Sequence, residues 1–318
     1  MLSIQKASTA QNTITLDRNI TDLLKFVACT MVAMSHYSGY VLAEGVSSAF
    51  IYKAIAAIGG YLGVAIFFFL SGYGLMKSDQ KRHRYISEFC KRRLAKAWLP
   101  AVVVSAIWLA VAYFVDLDLL CNRHYILGIL WWFNDEVMWF IRVILVMYVF
   151  FYIYSSVSLR YANSKPILLI AIAIIAYFVV RILNIGSSLS VPLFFLGMAV
   201  AEFPKFFKTA FSNIPVVVTL VAIAVISAWL FHHDNYLLHG LINYFCIGVL
   251  LVIFANFHIT LSRFPAWIGN CSLDVYLVHY KVHLLILHYM AIDTLWMFLL
   301  GTAVAAFLFY WLRKSIRL

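Results

Sequence analysis

Three ionisable residues on one apolar stretch carry the first chemical signal. Asp22, Lys25 and His36 lie in DLLKFVACTMVAMSH. From Lys25 to His36 is eleven residues, about three helical turns and roughly 16 Å of rise. The two side chains therefore project along one face, and Asp22 joins the same stripe. A histidine is suited to moving a proton near neutral pH, and a lysine at a cytoplasmic mouth is suited to holding an anion. The stripe reads as a track with an anion anchor at one end and a base at the other. Ionisable groups inside a span usually face the bundle interior and mark function. The alternative is that Lys25 snorkels to the interface and His36 only hydrogen-bonds between helices.

A second stripe lies in GNCSLDVYLVHYKVH, from Gly269. Ser272, Tyr276, His279 and His283 recur at steps of four, three and four, one helix face. Asp274 and Lys281 point elsewhere and are too far apart along the helix to pair directly. So dense a stripe argues for an interior cavity, with interhelical hydrogen bonding as the alternative. Ser71-Gly72-Tyr73 closes GVAIFFFLSGYGLM, where small residues let helices approach closely. The following YISEFCKRRLAKAWLP brings Arg92, Arg93 and Lys96 to the start of the next apolar run. As a cluster these cations suit the phosphates of a soluble cofactor, the planar arginine fork best of all. Residue by residue they also fit the ordinary excess of positive charge on the cytoplasmic side. Arg142, in WFIRVILVMY, lies about a turn from the outer end of its run.

Several chemistries lack their signals. No Walker A loop, GxSxG elbow or HExxH appears. The five cysteines (Cys29, Cys90, Cys121, Cys246 and Cys271) are scattered without metal-ligand spacing. They read as small apolar fillers, with no disulfide framework and no metal site.

The elements that must position these residues are membrane spans. Of the 318 residues, 64% are hydrophobic and 12% charged, where a soluble domain carries roughly a quarter charged. Apolar runs of spanning length place helices at roughly 20–42, 55–76, 97–115, 137–156, 166–183, 188–203, 214–231, 238–257, 266–290 and 295–312. The expectation is an all-α polytopic membrane helix bundle of about ten spans, forming one domain over 1–318. The stretch 125–134 is too short to span. The first nineteen residues are polar and lack the order of a cleaved signal peptide. The loop 77–96 holds Lys77, Lys81, Arg82, Arg84, Lys91, Arg92, Arg93 and Lys96, which sets it in the cytoplasm. The remaining loops alternate consistently, with both termini inside. The net charge of +11 then suits lipid headgroups rather than nucleic acid.

With these residues in view, the chain resembles the acyltransferase-3 family of membrane O-acyltransferases. That family shows an Asp-x-x-Arg start with a His eleven residues after the Arg. Asp22, Lys25 and His36 match those positions, with Lys replacing Arg. FFFLSGYGL resembles the ending of its second helix. CKRRLAKAWLP resembles its RxxR-like basic stretch, with Arg93 and Lys96 at the two basic positions. MWF and IGNCSLDVYLVH resemble its later helices. The resemblance implies acyl transfer, usually of acetyl from acetyl-CoA, to a hydroxyl of a cell-surface polysaccharide or lipid-linked sugar. It implies a donor substrate rather than a tightly bound cofactor, and the stand-alone form without an SGNH domain. The expected location is the cytoplasmic membrane of a bacterium. His36 is the expected base or acyl carrier. Lys25, Arg93, Lys96, Asp22, Ser71, Tyr276 and His279 are the expected residues around acyl-CoA and substrate. The two Lys-for-Arg replacements keep the charge and lose the bidentate fork. A transporter or flippase of a polysaccharide or lipid-linked sugar is the rival reading; it needs no thioester and no acyl-CoA site.

Overall fold

A computed structural model describes residues 2–6, 13–81, 89, 93, 95–115, 138–230, 235–261, 265–290 and 294–315. The stretch 125–134, Cys90, Cys121, and the loop cations Arg82, Arg84, Lys91 and Arg92 lie outside the described residues. The order is β1 (Leu2–Lys6), α1 (Arg18–Ala43), α2 (Phe50–Ala54), a π-helical turn (Ile55–Gly59) and α3 (Gly60–Lys81). It continues with α4 (Ala95–Phe114), α5 (Trp139–Ser158), α6 (Lys165–Leu183), α7 (Val191–Glu202), α8 (Pro204–Ser212), α9 (Ile214–Leu230) and α10 (Asn235–Asn256). β2 (Phe257–Leu261), α11 (Ala266–Asn270), α12 (Ser272–Met290) and α13 (Leu295–Ser315) complete it. The protein is an all-α polytopic bundle, with one short strand pair among the described residues.

The helix limits follow from local chemistry. Asp17 caps α1, its Oδ1 accepting the Ile20 N–H at 2.7 Å. At the other end Gly45 turns to φ +66° and Val46 N–H returns to Val41 O at 3.0 Å, a Schellman-type stop. Prolines open α6, α7 and α8 in their first turn, where the missing N–H costs nothing. Asn184 ends α6 in the left-handed region at φ 48°. The outer faces are apolar: Ile167, Ile170, Ile174 and Phe178 of α6 are all exposed. Such a face is stable where lipid solvates it.

Among the described residues, seven helical segments are long and apolar enough to cross a membrane, or eight if one bent pair is a single span. The expected helices are all present, and the difference from about ten has three physical sources. The sixth stops at Glu202 and turns by 103° into α8, because Pro204 restricts the residue before it. The seventh, α9, has only 17 residues. The ninth is interrupted between α11 and α12, and α12 carries Asp274, Lys281 and three histidines, which lower its hydropathy.

The chain forms two compact units that interleave in sequence. One comprises Met1–Arg82 with Leu189–Asn270, the other His83–Ser188 with Cys271–Leu318. In the first, glycines allow backbone contact. A Cβ on Gly63 would meet Ala28 O at 2.5 Å, joining α3 to α1. One on Gly72 would meet Phe194 O at 1.9 Å, and one on Gly197 would meet Phe69 O at 2.1 Å. α3 and α7 therefore cross backbone to backbone, each supplying the glycine that admits the other's carbonyl.

β1 pairs antiparallel with β2, from Leu2 opposite Leu261 to Lys6 opposite Phe257. This pair is a structural addition to the polar N-terminal segment. It is tied into the unit: Asn19 Nδ2 donates to Leu261 O at 2.7 Å, and Leu16 N–H donates to Tyr73 Oη at 3.0 Å. An isolated two-stranded pair is marginal in water, so these anchors matter.

Candidate active site

The first unit holds Asp22, Lys25, His36 and Ser71. Asp22 is 3% exposed and lies against α11. A Cβ on Gly269 would come within 2.4 Å of Asp22 Cβ and 2.8 Å of its Oδ1, so glycine is what leaves room for the carboxylate. Lys25 Nζ donates to Asp22 Oδ1 at 2.9 Å, and Arg18 Nε lies 3.7 Å from Oδ2. The expected anion anchor is thus already oriented by a buried carboxylate on its own helix. The Lys25 side chain is 35% exposed. An ammonium has three donors, so one bond to Asp22 does not exhaust it.

His36 lies eleven residues further along the unbroken α1 and is exposed. The turn before it is fixed by contact with the π-helical segment. Ser35 Oγ donates to Ala56 O at 3.2 Å, while a Cβ on Gly59 would meet Met31 O at 3.1 Å. π-helical turns are rare and often sit at functional sites. Here one braces the backbone that presents His36. Ser71 is half-buried beside the Gly72 crossing. Nearly two turns on, Lys77 Nζ donates to Ala201 O at 3.2 Å, closing the end of that crossing.

The second unit holds Arg93, Lys96, Tyr276 and His279. Arg93 is half-buried, and Lys96 is exposed at the start of α4. The polar stripe of α12 is fully interior: Ser272, Tyr276, His279 and His283 are all buried. Tyr276 stacks edge-on against Phe140 of α5 with centroids 5.3 Å apart, and its ring lies 5.9 Å from that of His279. His279 Nδ1 lies 2.8 Å from Tyr276 O and 3.1 Å from Val275 O. Two carbonyl acceptors at one nitrogen place the proton there. A neutral His279 therefore keeps its lone pair on Nε2, the nitrogen directed away from its own backbone. That is the tautomer of a base or a hydrogen-bond acceptor.

The opposite face of α12 contributes two groups with separate partners. Asp274 is 0% exposed and receives a two-pronged bond from Arg313 of α13, Nη2 to Oδ2 at 2.8 Å and Nε to Oδ1 at 3.0 Å. Lys281, 6% exposed, holds its ammonium 6.0 Å from the Trp108 ring centroid on α4. The structure thus brings Asp22 to Lys25 and Tyr276 to His279. The Asp274–Arg313 pair is the feature that sequence reading misses. Arg313 lies 39 residues away in sequence, and only the packing of α13 against α12 makes it a partner. Cys29, Cys246 and Cys271 are thiols, with Cys29 Sγ donating to Phe26 O at 3.1 Å, consistent with small packing residues.

Comparison with known proteins adds one positive finding. A model of an acyltransferase domain, the acyltransferase-3 family, matches residues 19–314. No curated protein and no solved structure matches. The match begins one residue inside α1 and ends one residue short of the end of α13, so the helices that carry His36 and His279 and every span between them fall within it. The chain belongs to the acyltransferase-3 family of membrane acyltransferases.

Proposed function

We propose that this membrane acyltransferase moves an acetyl group from acetyl-CoA to a hydroxyl of a cell-surface polysaccharide or lipid-linked sugar. The observation that carries the reading is His36, exposed on an unbroken helix eleven residues beyond a lysine held in place by Asp22. Lys25 supplies a cation for the phosphates of the coenzyme, which approaches from the cytoplasm. Both chain termini lie on that side, in the cytoplasmic membrane of a bacterium.

In this scheme His36, neutral, accepts the proton of the acceptor hydroxyl as that oxygen attacks the thioester carbonyl carbon. A C–O bond forms, the C–S bond breaks, and the departing thiolate recovers the proton from the imidazolium. A route through acyl-His36 uses the same neutral nitrogen as nucleophile. Acetyl-CoA is consumed as a substrate, and no other cofactor enters. Ser71, in the same unit as His36, acts as a positioning group in this reading.

The test is mass spectrometry of surface glycans from cells carrying the wild type, His36→Ala, or no copy. The expected result is loss of one acyl mass in both the variant and the null, with the variant still inserted in the membrane. Full acylation in His36→Ala overturns the mechanism. General acid–base groups contribute roughly 10²–10⁴-fold, so a purified variant should show a loss in that range. Detergent-purified protein should also bind acetyl-CoA, which a pure transporter would not.

A further inference from the structure

The acyl-transfer scheme leaves PKFFKTAFS unused, the segment that forms α8 in the first unit. At roughly 100° per residue, its apolar Phe206, Phe207, Ala210 and Phe211 fall within an arc of about 140°, and Lys205, Lys208, Thr209 and Ser212 fill about 100° of the opposite side. No residue of α8 is buried. Phe206 is 67% exposed, and Lys205 and Thr209 beside it are exposed too. The other side of the helix is held by the end of α10. Lys208 Nζ donates to Ala255 O, Ser212 Oγ donates to the same carbonyl at 3.3 Å, and Asn256 Nδ2 donates to Phe211 O at 3.1 Å.

The neighbouring helices set the level and direction of α8. α7 ends beside the polar end of α3, where Lys77 Nζ and Gln80 Nε2 both donate to Ala201 O at 3.2 Å and Gln80 Nε2 reaches Glu202 Oε2 at 2.9 Å. Charged and amide side chains of this kind mark where a span leaves the hydrocarbon. The chain then turns by 103° into α8 and, after Asn213, enters the apolar α9. A helix that starts at the rim of a span and runs nearly perpendicular to it lies in the plane of the membrane surface. Water is a poor solvent for the exposed Phe206 ring. The lipid that solvates the exposed Val218, Ile223 and Ile226 of the adjoining α9 is a good one. The segment also carries two lysines and no acid, the composition of a helix drawn to an anionic surface. We infer that α8 is an interfacial helix, with Phe206 and Ala210 among phospholipid acyl chains just below the headgroups and Lys205 in the headgroup layer beside a phosphate. The inference stands apart from the acetyl-transfer reading, because it invokes neither His36 nor acyl-CoA.

The test places p-benzoylphenylalanine, which inserts into C–H bonds on irradiation, in full-length protein reconstituted in phosphatidylglycerol vesicles. Mass spectrometry of Phe206→p-benzoylphenylalanine should show an α8 peptide carrying one phosphatidylglycerol. Thr209→p-benzoylphenylalanine, on the polar arc, should give at least fivefold less of that adduct. Adding Lys205→Glu to the first variant should lower its lipid adduct at least threefold, and Lys205→Arg should retain it. If the probe at 206 prevents folding, Ala210→p-benzoylphenylalanine reads the same arc. Equal lipid yields from the two arcs would overturn the inference, as would an adduct to a second copy of the chain in place of lipid. A yield unchanged by Lys205→Glu would overturn the headgroup contact.

Discussion

Asp274 and Arg313 illustrate how a buried charge pair is asymmetric in its effects. The carboxylate is 0% exposed and its partner side chain 16%, so neither group regains full hydration if the other is removed. Truncating one member of a buried pair costs about 3–5 kcal/mol, while replacing both by apolar residues is often neutral. Arg313→Ala is therefore expected to lower the thermal midpoint in detergent sharply, and Asp274→Leu combined with Arg313→Met should restore most of it. Arg313→Lys should fall between, because lysine keeps the charge and loses the fork. A midpoint unchanged in Arg313→Ala would count against the pair as a structural clamp. At this scale the sequence reveals the polar stripes and much less of their partners. Tyr276 and His279 share a face by helical period alone, which is why that grouping is legible. Arg313 reaches Asp274 across 39 residues, a contact that no local spacing encodes. Lys25 lies between the two cases: its Asp22 partner is three residues away, within the reach of helical geometry.

The helices owe their arrangement to what glycine leaves out. At the α3–α7 crossing the clearance is so small that a methyl group at Gly72 or Gly197 overlaps a carbonyl oxygen of the facing backbone. Neither backbone can step aside without breaking its own helical bonds. Gly72→Ala and Gly197→Ala should each destabilise by about 1–3 kcal/mol, read as a shorter half-life in detergent at elevated temperature. Gly74, where an added Cβ would have nothing within 4 Å, should tolerate alanine and serves as the control. Equal losses at all three positions would show that the crossing is not the cause. Helix existence is legible because twenty-residue apolar runs have few other solutions. Continuity is not. The 103° bend after Glu202 and the break at Cys271 arise where a proline or a polar cluster meets tertiary packing, and hydropathy averages over both. The π-helical turn at Ile55–Gly59 is equally silent, since its sequence, IAAIG, reads as ordinary apolar helix.

At the scale of the whole chain, the family match runs through both compact units, and each unit is assembled from distant stretches of sequence. Composition alone makes the membrane legible; it says nothing about which helices cluster. The β1–β2 pair is the extreme case, joining Leu2 to Leu261. FHITL alternates apolar and polar residues throughout and LSIQK over its first four, a weak strand signal, but pairing at such separation has no local signature. Removing residues 2–6 should leave insertion intact and make the Phe257–Leu261 segment more susceptible to protease, measured on membrane vesicles permeabilised to expose both faces. Unchanged cleavage would show that Asn19 and its neighbours suffice to hold it. The pairing also has a consequence in time. β1 leaves the ribosome ahead of α1, and its partner is not made until α10 is complete. Throughout most of synthesis the Leu2–Lys6 segment has no partner with which to form a strand. The clasp closes only after α1 to α10 have been made, so an intact β1–β2 pair shows that synthesis had passed that point.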